Sequence, residues 1–326
     1  MRNVRIRSDT FPLAAPFVIA RGSKTAAEVV AVELREGGAV GRGEGVPYAR
    51  YGESVASVEA QLRAVEAALG AGIARDELAA LLPPGAARNA ADCALWDLEA
   101  KLSGIGVDER IGLAAPSSTA TALTVGIDTP ERMAQAAAAL LGADLIKVKV
   151  DADAPDLALT AVRAAAPKAR LIVDPNESWT FDLLERMQPL LLALRIEFVE
   201  QPLPAGEDEM LDGFAPRVPI CADESCHVAG DLERLAGRYG LVNIKLDKTG
   251  GLTEALVLLD CARRRGFGVM VGCMICTSLS IAPALRIAAA ADYADLDGPL
   301  WLKQDRNGGI GLDAGRIIPP PPGFWG

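Results

Sequence analysis

The stretch Leu145-Ile146-Lys147-Val148-Lys149-Val150 decides the fold. It has the short, β-rich character of a buried strand, and an Ala- and Leu-rich helical run, Asp156–Ala165, follows it. The same pair of elements repeats on both sides at a spacing of roughly 22–27 residues, which is typical of a parallel (β/α) barrel. The predicted strands are Ala122–Gly126, Leu145–Val150, Arg170–Asp174, Ile196–Glu200, Val218–Ala222, Leu241–Leu246, Gly268–Gly272 and Asp292–Asp297.

Helical runs lie between these strands, and several begin with Pro or an acidic residue, as helices commonly do. After the eighth strand come Gly298-Pro299 and a tail rich in Pro and Gly, so the last helix of a complete barrel is missing. The predicted helices are Pro130–Leu141, Asp156–Ala165, Asp182–Leu191, Asp231–Tyr239, Leu252–Arg265 and Ser278–Ala291.

The first 115 residues have a different order, with strands before helices and no alternation. Ala27–Glu33 and Gly41–Gly43 are predicted strands of a small antiparallel sheet, and Val55–Leu69 and Ala86–Leu102 are predicted helices. We therefore expect two units. Residues 1–115 form an α+β module that the C-terminal tail 300–326 completes, and residues 116–299 form the barrel.

Composition excludes several classes of protein. The 326 residues include 33 Lys and Arg against 43 Asp and Glu, a formal net charge of −10, and such an acidic surface repels nucleic-acid phosphates. No apolar run approaches the roughly 18 residues of a membrane span, and the charged first nine residues lack the apolar stretch of a signal peptide. We expect a cytoplasmic protein with no nucleic-acid or membrane partner.

The counts of histidine and cysteine limit the kinds of catalytic site that the chain can form. His227 is the one histidine, which excludes Ser-His-Asp and Cys-His hydrolases unless it is itself the base. General-base catalysis then falls to Lys, Asp, Glu or Tyr. Six cysteines are too few for a disulfide scaffold, so free thiols are expected. Because Cys273 and Cys276 have C-x-x-C spacing, a zinc or thiol redox protein stays an alternative.

Charged residues lie at the C-terminal ends of six of the eight predicted strands, or directly after them. Barrel enzymes build their active sites at that end, whereas scattered surface charges would show no such preference. Lys147 and Lys149 are two residues apart on one strand and therefore point to the same face. The candidate site residues are Lys147, Lys149, Asp174, Glu200, Asp223, Lys245, Asp295 and Asp297.

These residue types predict a metal-assisted proton transfer. Asp174, Glu200 and Asp223 come from successive strands and form an oxygen-rich set suited to Mg²⁺. Lys149 and Lys245 lie on either side of this set in barrel order and could reach opposite faces of one carbon. The arrangement suits a carbon acid next to a carboxylate, with Mg²⁺ stabilising the enediolate that forms when the proton leaves.

Each of the two lysines would have to change between its neutral and charged forms near neutral pH. Its pKa would have to fall by roughly three units from about 10.4, and a nearby cation, a second lysine and partial burial all act in that direction. Lys147 is placed to lower the pKa of Lys149 and to contact the substrate carboxylate. Asn176 is placed to orient the site from just outside it.

Motifs along nearly the whole chain resemble those of the enolase superfamily. The resemblance implies an α+β capping domain and a modified (β/α)₇β barrel, with Glu224 and Asp247 as partners of the metal and the lysines rather than as ligands. The motifs that resemble the second to fifth barrel strands and the helix joining cap to barrel are Lys147-Val148-Lys149, Asp174-Pro175-Asn176, Glu200-Gln201-Pro202, Ala222-Asp223-Glu224-Ser225 and Ala91-Asp92-Cys93-Ala94-Leu95-Trp96-Asp97-Leu98.

The lysine pattern indicates a branch of the superfamily. Members that resemble mandelate racemase use a histidine base at the seventh strand, where this chain has none. The K-x-K motif together with Lys245 is similar to the muconate lactonizing branch, which includes cycloisomerases, o-succinylbenzoate synthases and dipeptide epimerases.

Three features resemble the dipeptide epimerases of that branch. The D-x-D element of Asp295 and Asp297 would hold the ammonium group of a dipeptide, and Cys273 and Met274 belong to a G-C-M motif at the substrate. Arg21 lies in a segment that resembles the mobile cap loop, where an arginine pairs with the side-chain carboxylate of a glutamate substrate.

The resemblance therefore implies Mg²⁺-dependent epimerisation of L-Ala-L-Glu and L-Ala-D-Glu, in the recycling of murein peptides. A small dipeptide is the expected partner, and apolar outer helix faces leave a homo-oligomer open. Two alternatives stay open besides the thiol protein. One is a muconate-type cycloisomerase or o-succinylbenzoate synthase, which would need no ammonium site, and the other is a non-catalytic barrel that binds metal.

Overall fold

The computed structural model describes residues 2–113, 117–140 and 142–326. A three-stranded antiparallel sheet with four helices comes first, and an eight-stranded parallel sheet with its helices follows. The strands are β1 (Asn3–Ile19), β2 (Gly22–Glu36), β3 (Ala39–Gly45), β4 (Thr119–Ala120), β5 (Ala122–Val125), β6 (Leu145–Lys149), β7 (Arg170–Asp174), β8 (Ile196–Glu200), β9 (Ile220–Ala222), β10 (Leu241–Lys245), β11 (Gly268–Gly272), β12 (Tyr293–Asp295), β13 (Gly311–Asp313) and β14 (Arg316–Ile318). The helices are α1 (Val55–Ala71), α2 (Arg75–Leu81), α3 (Ala86–Ser103), α4 (Val107–Ile111), α5 (Pro130–Ala139), α6 (Pro155–Ala165), α7 (Phe181–Ala193), α8 (Leu232–Leu235), α9 (Leu246–Thr249), α10 (Leu252–Arg264) and α11 (Ser278–Ala288).

The parallel strands β5 to β12 are hydrogen-bonded in chain order, and β12 lies beside β5. Two hydrogen bonds cross that seam. The Thr124 backbone N–H donates to Asp297 Oδ2 at 2.8 Å, and the Leu296 N–H donates to Thr121 Oγ1 at 2.8 Å. The sheet is thus a barrel, and in the described part of the chain no α-helix follows its eighth strand. The predicted (β/α)₇β architecture with an α+β capping unit is confirmed.

Inside the barrel, strand alternation sorts the side chains into layers. Residues two apart on a strand point the same way, so an apolar layer at the strand starts is followed by a polar layer. The apolar layer is Ala122, Leu145, Ile172, Phe198, Cys221, Leu241, Met270 and Tyr293, one from each strand. The residues two positions later are Thr124, Lys147, Asp174, Glu200, Asp223, Asn243, Gly272 and Asp295, with Lys149, Lys245 and Asp297 two positions beyond. This register fixes where the charges go.

The capping unit is built on direct backbone contact between β3 and α3. A Cβ atom added to Gly43 would lie 2.1 Å from the carbonyl oxygen of Ala90, and one added to Gly45 would lie 2.1 Å from that of Ala86. Two residues of strand and four residues of helix both advance by about 6–7 Å, so a row of glycines can face a row of alanines. The close approach leaves no room for a side chain on the strand.

Helix α3 also joins the cap to the barrel. The Asp92 carboxylate accepts the backbone N–H of Thr253, near the start of α10, at 3.0 Å. Burial raises the pKa of Asp92 to about 6, although the hydrogen bonds from Thr253 act in the opposite direction. The motif predicted to connect cap and barrel therefore does so through a buried acid at a helix start.

Strand β1 was not predicted. It pairs antiparallel with β2, and the pairing shifts register between Pro12 and Phe17. Two prolines, Pro12 and Pro16, interrupt the alternating pattern that would reveal a strand, and the shift accommodates them. The segment predicted as a cap loop is in fact the tip of the β1–β2 hairpin, where Ile19 pairs with Gly22 across a two-residue turn containing Arg21.

The predicted helix Asp231–Tyr239 is wrong in its length. A 3₁₀ turn at Ala229–Asp231 precedes α8, which ends at Leu235. Ala236 has an extended backbone conformation and Gly237 has a φ of 80°, so the chain cannot continue as a helix. Glycine tolerates this left-handed region because it has no Cβ.

The C-terminal tail returns to the first unit. Trp325 Nε1 donates to the carbonyl oxygen of Arg42 at 3.0 Å, and the Gly326 N–H donates to Asp97 Oδ1 at 2.7 Å. The predicted boundary between residues 115 and 116 and the predicted helix end at Leu141 lie outside the described residues. The division into 1–115 and 116–299 therefore stays a prediction.

The six cysteines are free thiols, and four of them are buried. Cys273 and Cys276 both face Gly298, where an added Cβ would come within 3.1 Å of each sulfur. Across the described ranges, no group of three His, Cys, Asp or Glu is arranged to hold a metal, so the zinc alternative finds no ligand set at this pair. No helix in those same ranges is long and apolar enough to cross a bilayer.

The contact between β3 and α3 generates a test of stability. Gly43→Ala would force a methyl group into the Ala90 carbonyl, and we expect it to lower the free energy of unfolding by about 3 kcal/mol. Thermal or urea unfolding followed by circular dichroism measures this. Gly230→Ala is the matched control, because nothing lies within 4 Å of an added Cβ there. Equal effects of the two substitutions would contradict the packing argument.

Candidate active site

A cavity of about 430 Å³ opens between the C-terminal ends of the barrel strands and the cap. Phe17 and Ile19 of the hairpin form part of its apolar wall together with Trp301, and the Phe17 and Trp301 rings meet edge to face at 4.6 Å. The predicted site residues that line it are Arg21, Lys147, Lys149, Asn176, Asp223, Glu224, Lys245, Cys273, Met274, Asp295 and Asp297. Most of the predicted site therefore meets in one space.

Lys147 lies at the centre of the charged layer. Its Nζ is 2.9 Å from Asp174 Oδ2, 2.7 Å from Glu200 Oε2 and 2.8 Å from Asp295 Oδ2, and its side chain is 2% exposed. Burial alone would lower the pKa of Lys147, but the three carboxylates raise it well above its ordinary value. Lys147 is therefore a permanently charged ammonium that gathers acids from three strands.

The other two predicted lysines lie on opposite sides of the barrel. Lys149 ends β6 and pairs with Asp174, and Lys245 ends β10 and pairs with Asp223 at 2.7 Å. Strands β6 and β10 are four positions apart in an eight-stranded barrel, which is half of its circumference. The two ammonium groups thus enter the cavity from opposite walls.

The expected fall in lysine pKa is not what the structure shows for Lys245. Burial acts to lower its pKa, but the charges of Asp223 and Glu200 outweigh burial and raise it. The carboxylates stabilise the ammonium form because they are close and poorly screened. A lowered pKa at this position therefore requires another cation to engage those carboxylates.

Two polar residues that the sequence argument missed support the acids. Lys248 Nζ is buried and donates to Asp223 Oδ1 at 2.7 Å and to the Asn243 carbonyl at 2.8 Å. Asn243 Nδ2 donates to Glu200 Oε1 at 2.8 Å. Asn243 could have been found from the alternation of β10, since it lies between Leu241 and Lys245 on the inward face. Lys248 follows the strand in α9 and has no such signal.

The three predicted metal ligands, Asp174, Glu200 and Asp223, come from the neighbouring strands β7, β8 and β9 and are buried. In the part of the chain that the structure describes, they do not form a ready-made metal group, because lysine ammonium groups lie against them. Glu200 Oε2 nevertheless accepts no well-directed hydrogen bond, and burial raises the pKa of Glu200. A buried, oxygen-only donor set that comes from three neighbouring strands fits Mg²⁺.

Asp295 and Asp297 form an acid pair on the cavity wall. Asp295 Oδ1 is buried and has no hydrogen-bond partner among the described residues, while its Oδ2 is held by Lys147. Asp297 Oδ2 accepts only from the Thr124 N–H and, at 3.4 Å, from Trp301 Nε1. Burial, and then the charge of Asp295, raise the pKa of Asp297 to about 6. The pair is short of a positive charge on the side that faces the cavity.

Arg21 lies on the cavity wall but is already engaged by protein groups. Its guanidinium is 2.9 Å from Glu177 Oε2 and 2.7 Å from Glu224 Oε1, and it donates to the Tyr48 hydroxyl at 2.9 Å. Burial, and then the charge of Asp223, raise the pKa of Glu224 to about 8. Glu224 therefore contacts the cap arginine and lies beside the predicted ligand Asp223.

Lys24, three residues further along the hairpin, is a cavity residue that the sequence argument missed. Its Nζ lies 4.9 Å from the centre of the Tyr48 ring, and the cavity wall lowers its pKa by desolvation. Among the described residues no carboxylate comes within salt-bridge distance of it. Its position on the same hairpin as Arg21 is the feature of the sequence that could have identified it as a cavity residue.

Three further predicted or notable residues have clear positions. The Asn176 N–H donates to Asp174 Oδ1 at 2.9 Å, as expected of a group that orients that acid. Asp247 was expected beside the metal and the lysines, but it accepts instead from the Val46 N–H at 2.9 Å and from Asn89 Nδ2 at 2.7 Å, where cap meets barrel. His227 packs on Tyr51 with ring centres 4.6 Å apart, and burial lowers its pKa to about 4.

Comparison with known proteins agrees with this geometry. The N-terminal domain family described as mandelate racemase / muconate lactonizing enzyme matches residues 1–112, and the family described as enolase C-terminal domain-like matches residues 131–323. The L-Ala-D/L-Glu epimerase of Escherichia coli (strain K12) is 50% identical over 319 residues, which cover 97% of this chain and 99% of that protein.

Two solved structures extend the likeness to the fold. An enolase family member from Agrobacterium tumefaciens with homology to dipeptide epimerases, with bound sodium and L-Ala-L-Glu, has a TM-score of 0.98 at 47% identity and covers 100% of both chains. The dipeptide epimerase from Enterococcus faecalis V583 complexed with Mg and L-Leu-L-Tyr has a TM-score of 0.90 at 30% identity and covers 97% of this chain and 96% of that one. The chain therefore belongs to the mandelate racemase and muconate lactonizing enzyme family of the enolase superfamily.

Proposed function

We propose that the protein is a Mg²⁺-dependent isomerase that epimerises dipeptides at the α-carbon of the C-terminal residue, interconverting L-Ala-L-Glu and L-Ala-D-Glu. The observation that carries this proposal is the acid pair of Asp295 and Asp297 in the same cavity as Lys149 and Lys245. The names of the similar proteins support it, since they include an L-Ala-D/L-Glu epimerase and structures with bound dipeptides.

The acid pair favours a substrate that carries a cation. Asp295 Oδ1 has no partner among the described residues, and burial raises the pKa of Asp297 to about 6, so that Asp297 is charged at neutral pH. Burying two carboxylates without a compensating charge costs several kcal/mol, so a substrate ammonium group is the complement that this wall needs. A cycloisomerase or o-succinylbenzoate synthase substrate has no such group. The alternatives in the same fold are therefore disfavoured.

The two lysines supply the proton transfer. With the substrate ammonium at the acid pair, the α-carbon of the second residue lies between the walls that carry Lys149 and Lys245. One lysine removes the α-proton as a base, and the other returns a proton to the opposite face, so the configuration inverts. In this proposal Lys147, whose ammonium form the surrounding carboxylates stabilise, orients the substrate carboxylate next to that carbon.

Asp174, Glu200 and Asp223 would hold Mg²⁺, which when bound supplies Lewis-acid stabilisation of the negative charge on the substrate carboxylate. Two of these three carboxylates, Asp223 and Glu200, are the ones that raise the pKa of Lys245. Once they are shared with another cation, the lysine loses part of its electrostatic stabilisation, and its pKa falls toward the range that a base needs.

We assign recognition of the substrate glutamate side chain to Lys24, with Arg21 as its neighbour. Arg21 already has Glu177 and Glu224 as partners, whereas Lys24 faces the cavity without a carboxylate partner in the described ranges. A side-chain carboxylate entering the cavity would pair with Lys24 without breaking an existing ion pair. The cellular setting we propose is recycling of murein peptides in the cytoplasm, and the resemblance to epimerases of this kind supports it.

The two-lysine mechanism is tested by proton NMR of L-Ala-L-Glu and L-Ala-D-Glu with Mg²⁺ in D₂O. Lys149→Met and Lys245→Met should each lower epimer formation by about a thousandfold or more. Each should still exchange the α-proton of one diastereomer, because the remaining lysine reaches one face. The exposed Lys168→Met is the control and should behave as the wild type.

Epimerisation that survives in either lysine variant would contradict the mechanism. A wild-type enzyme that exchanges no α-proton across a dipeptide library would exclude the epimerase and leave the cycloisomerase substrates to be tried. Mg²⁺ binding without exchange on any of these substrates would indicate the non-catalytic barrel.

The assignment of Lys24 predicts a change in substrate preference. Lys24→Met should raise KM for L-Ala-L-Glu by about tenfold while leaving KM for L-Ala-L-Met nearly unchanged, because only the first substrate loses an ion pair. Steady-state kinetics on both dipeptides measure the ratio. Lys303→Met, at an exposed lysine outside the cavity lining, is the control. An equal increase in KM for both dipeptides would refute a role of Lys24 in side-chain recognition.

The acid pair predicts a pH dependence of substrate binding. Asp297 has a pKa near 6, so it is charged above that pH and attracts the ammonium group, and it is protonated below. KM for L-Ala-L-Glu should be level between about pH 6 and about pH 7.5, where the substrate ammonium is also charged, and should rise by about tenfold for each pH unit below pH 6. Asp297→Asn should have a high KM that does not vary in this way. Asp292→Asn, at the residue that precedes β12 whereas Asp297 follows it, should keep the wild-type profile. A wild-type KM that is constant from about pH 7.5 to about pH 5 would contradict the prediction.

A further inference from the structure

We propose that Glu177 holds two cap loops over the cavity and is therefore a positioning residue for substrate binding. The two loops are the tip of the β1–β2 hairpin and the 3₁₀ turn Ala49–Tyr51. It follows β7 by three residues and belongs to the barrel, while its partners belong to the cap. The kinetic part of the test rests on the proposed function, and the structural part does not.

The carboxylate of Glu177 accepts four hydrogen bonds. Its Oε2 accepts from Arg21 Nη1 at 2.9 Å and from Arg50 Nε at 2.7 Å. Its Oε1 accepts from Arg50 Nη2 at 2.7 Å and from the Ala205 N–H at 2.8 Å. Arg21 is in the hairpin tip, Arg50 is in the 3₁₀ turn Ala49–Tyr51, and Ala205 follows β8. One side chain thus joins both cap loops to two barrel loops.

The backbone holds Glu177 in a conformation that suits this role. Asn176 has a φ of 47° and Glu177 a φ of 68°, a left-handed region that residues other than glycine rarely adopt. The Glu177 N–H donates to the Gln201 carbonyl at 2.9 Å, which fixes the turn. The side chain is 7% exposed, so its charge is poorly screened and its pairing with two arginines is strong. Such conformations cluster where the surrounding structure needs a side chain in one place.

Loss of Glu177 should loosen substrate binding rather than slow the proton transfer. Arg21 and Arg50 line the cavity, and Lys24 lies on the same hairpin as Arg21, so release of the loops opens that wall. Glu177 itself does not line the cavity, and its hydrogen bonds go to Arg21, Arg50 and Ala205 rather than to the lysines of the barrel.

The test compares Glu177→Gln with Glu197→Gln. Glu197 also pairs with an arginine through both oxygens, to Arg170 Nε and Nη2 at 3.1 Å, but in the first residues of β7 and β8, at the opposite end of the barrel. For L-Ala-L-Glu we expect Glu177→Gln to raise KM by about tenfold with kcat changed by less than about threefold, and Glu177→Asp, which keeps the charge, to restore part of the affinity. Glu197→Gln should leave both constants unchanged.

Limited trypsin digestion gives a readout that needs no activity. Arg21 and Arg50 are cleavage sites on the two loops, Lys24 is a third site at the start of β2, and mass spectrometry identifies cuts there. Glu177→Gln should be cut at these sites at least about tenfold faster than the wild type at a temperature where both are folded, and Glu197→Gln should not. A fall in kcat at constant KM, or unchanged cleavage at the loops, would overturn the proposal. If the wild type epimerises no dipeptide, the comparison of cleavage rates tests the role of Glu177 by itself.

Discussion

Mutual neutralisation of buried charges is the interaction on which the rest of the structure depends. Lys147 holds acids from β7, β8 and β12, and Lys248 holds Asp223 from below the same layer. None of these groups could stay charged in the barrel interior alone, because the desolvation of a single ion exceeds what packing returns. The acids and lysines therefore form one network, and removing one member leaves an uncompensated charge on another.

Strand register is what brings that network together. The apolar layer inside the barrel lies two residues before the polar layer on each strand, so the side chains of both layers point inward. A slip of one residue in β7 would turn Asp174 toward the helices and bring Val173 inside, which would cost both a buried charge and a filled core position. Burial of the apolar layer therefore fixes the strand register, and the register in turn fixes the positions of the charged side chains.

This explains how much could be predicted from the sequence. The barrel and the charged strand ends have a local signal, since alternation and spacing are visible within single segments, and the structure brings Lys149 and Lys245 to opposite walls as barrel order requires. Lys248 and the hairpin strand β1 have no such signal. Lys248 matters only because α9 folds back under Asp223, and β1 is interrupted by prolines that its pairing with β2 accommodates. Such residues depend on contacts between distant parts of the chain.

Asn176 and Asp247, both expected near the metal, also differ in whether a local signal in the sequence predicts their contacts. Asn176 directly follows the motif of its strand and contacts Asp174, as its spacing implies. Asp247 is equally close in sequence to Lys245, yet its carboxylate turns toward Val46 and Asn89 of the cap. A position two residues beyond a strand end fixes which part of the barrel a side chain starts from, but not the direction that the loop gives it. Burial raises the pKa of Asp247 to about 7, and the hydrogen bonds from Val46 and Asn89 act in the opposite direction.

The barrel and the hairpin differ in how tightly their charged side chains are constrained. The barrel charges are constrained by one another, so a change in substrate cannot come from altering one of them without unbalancing the network. The hairpin has more freedom, because Arg21 is fixed by Glu177 and Glu224 while Lys24 faces the cavity with no acid partner in the described ranges. A carboxylate that competed for Arg21 would have to displace two protein carboxylates, and one that met Lys24 would displace none. On the proposed assignment, side-chain preference would follow the identity of the residue at position 24 while Lys149 and Lys245 carry out the same proton transfer.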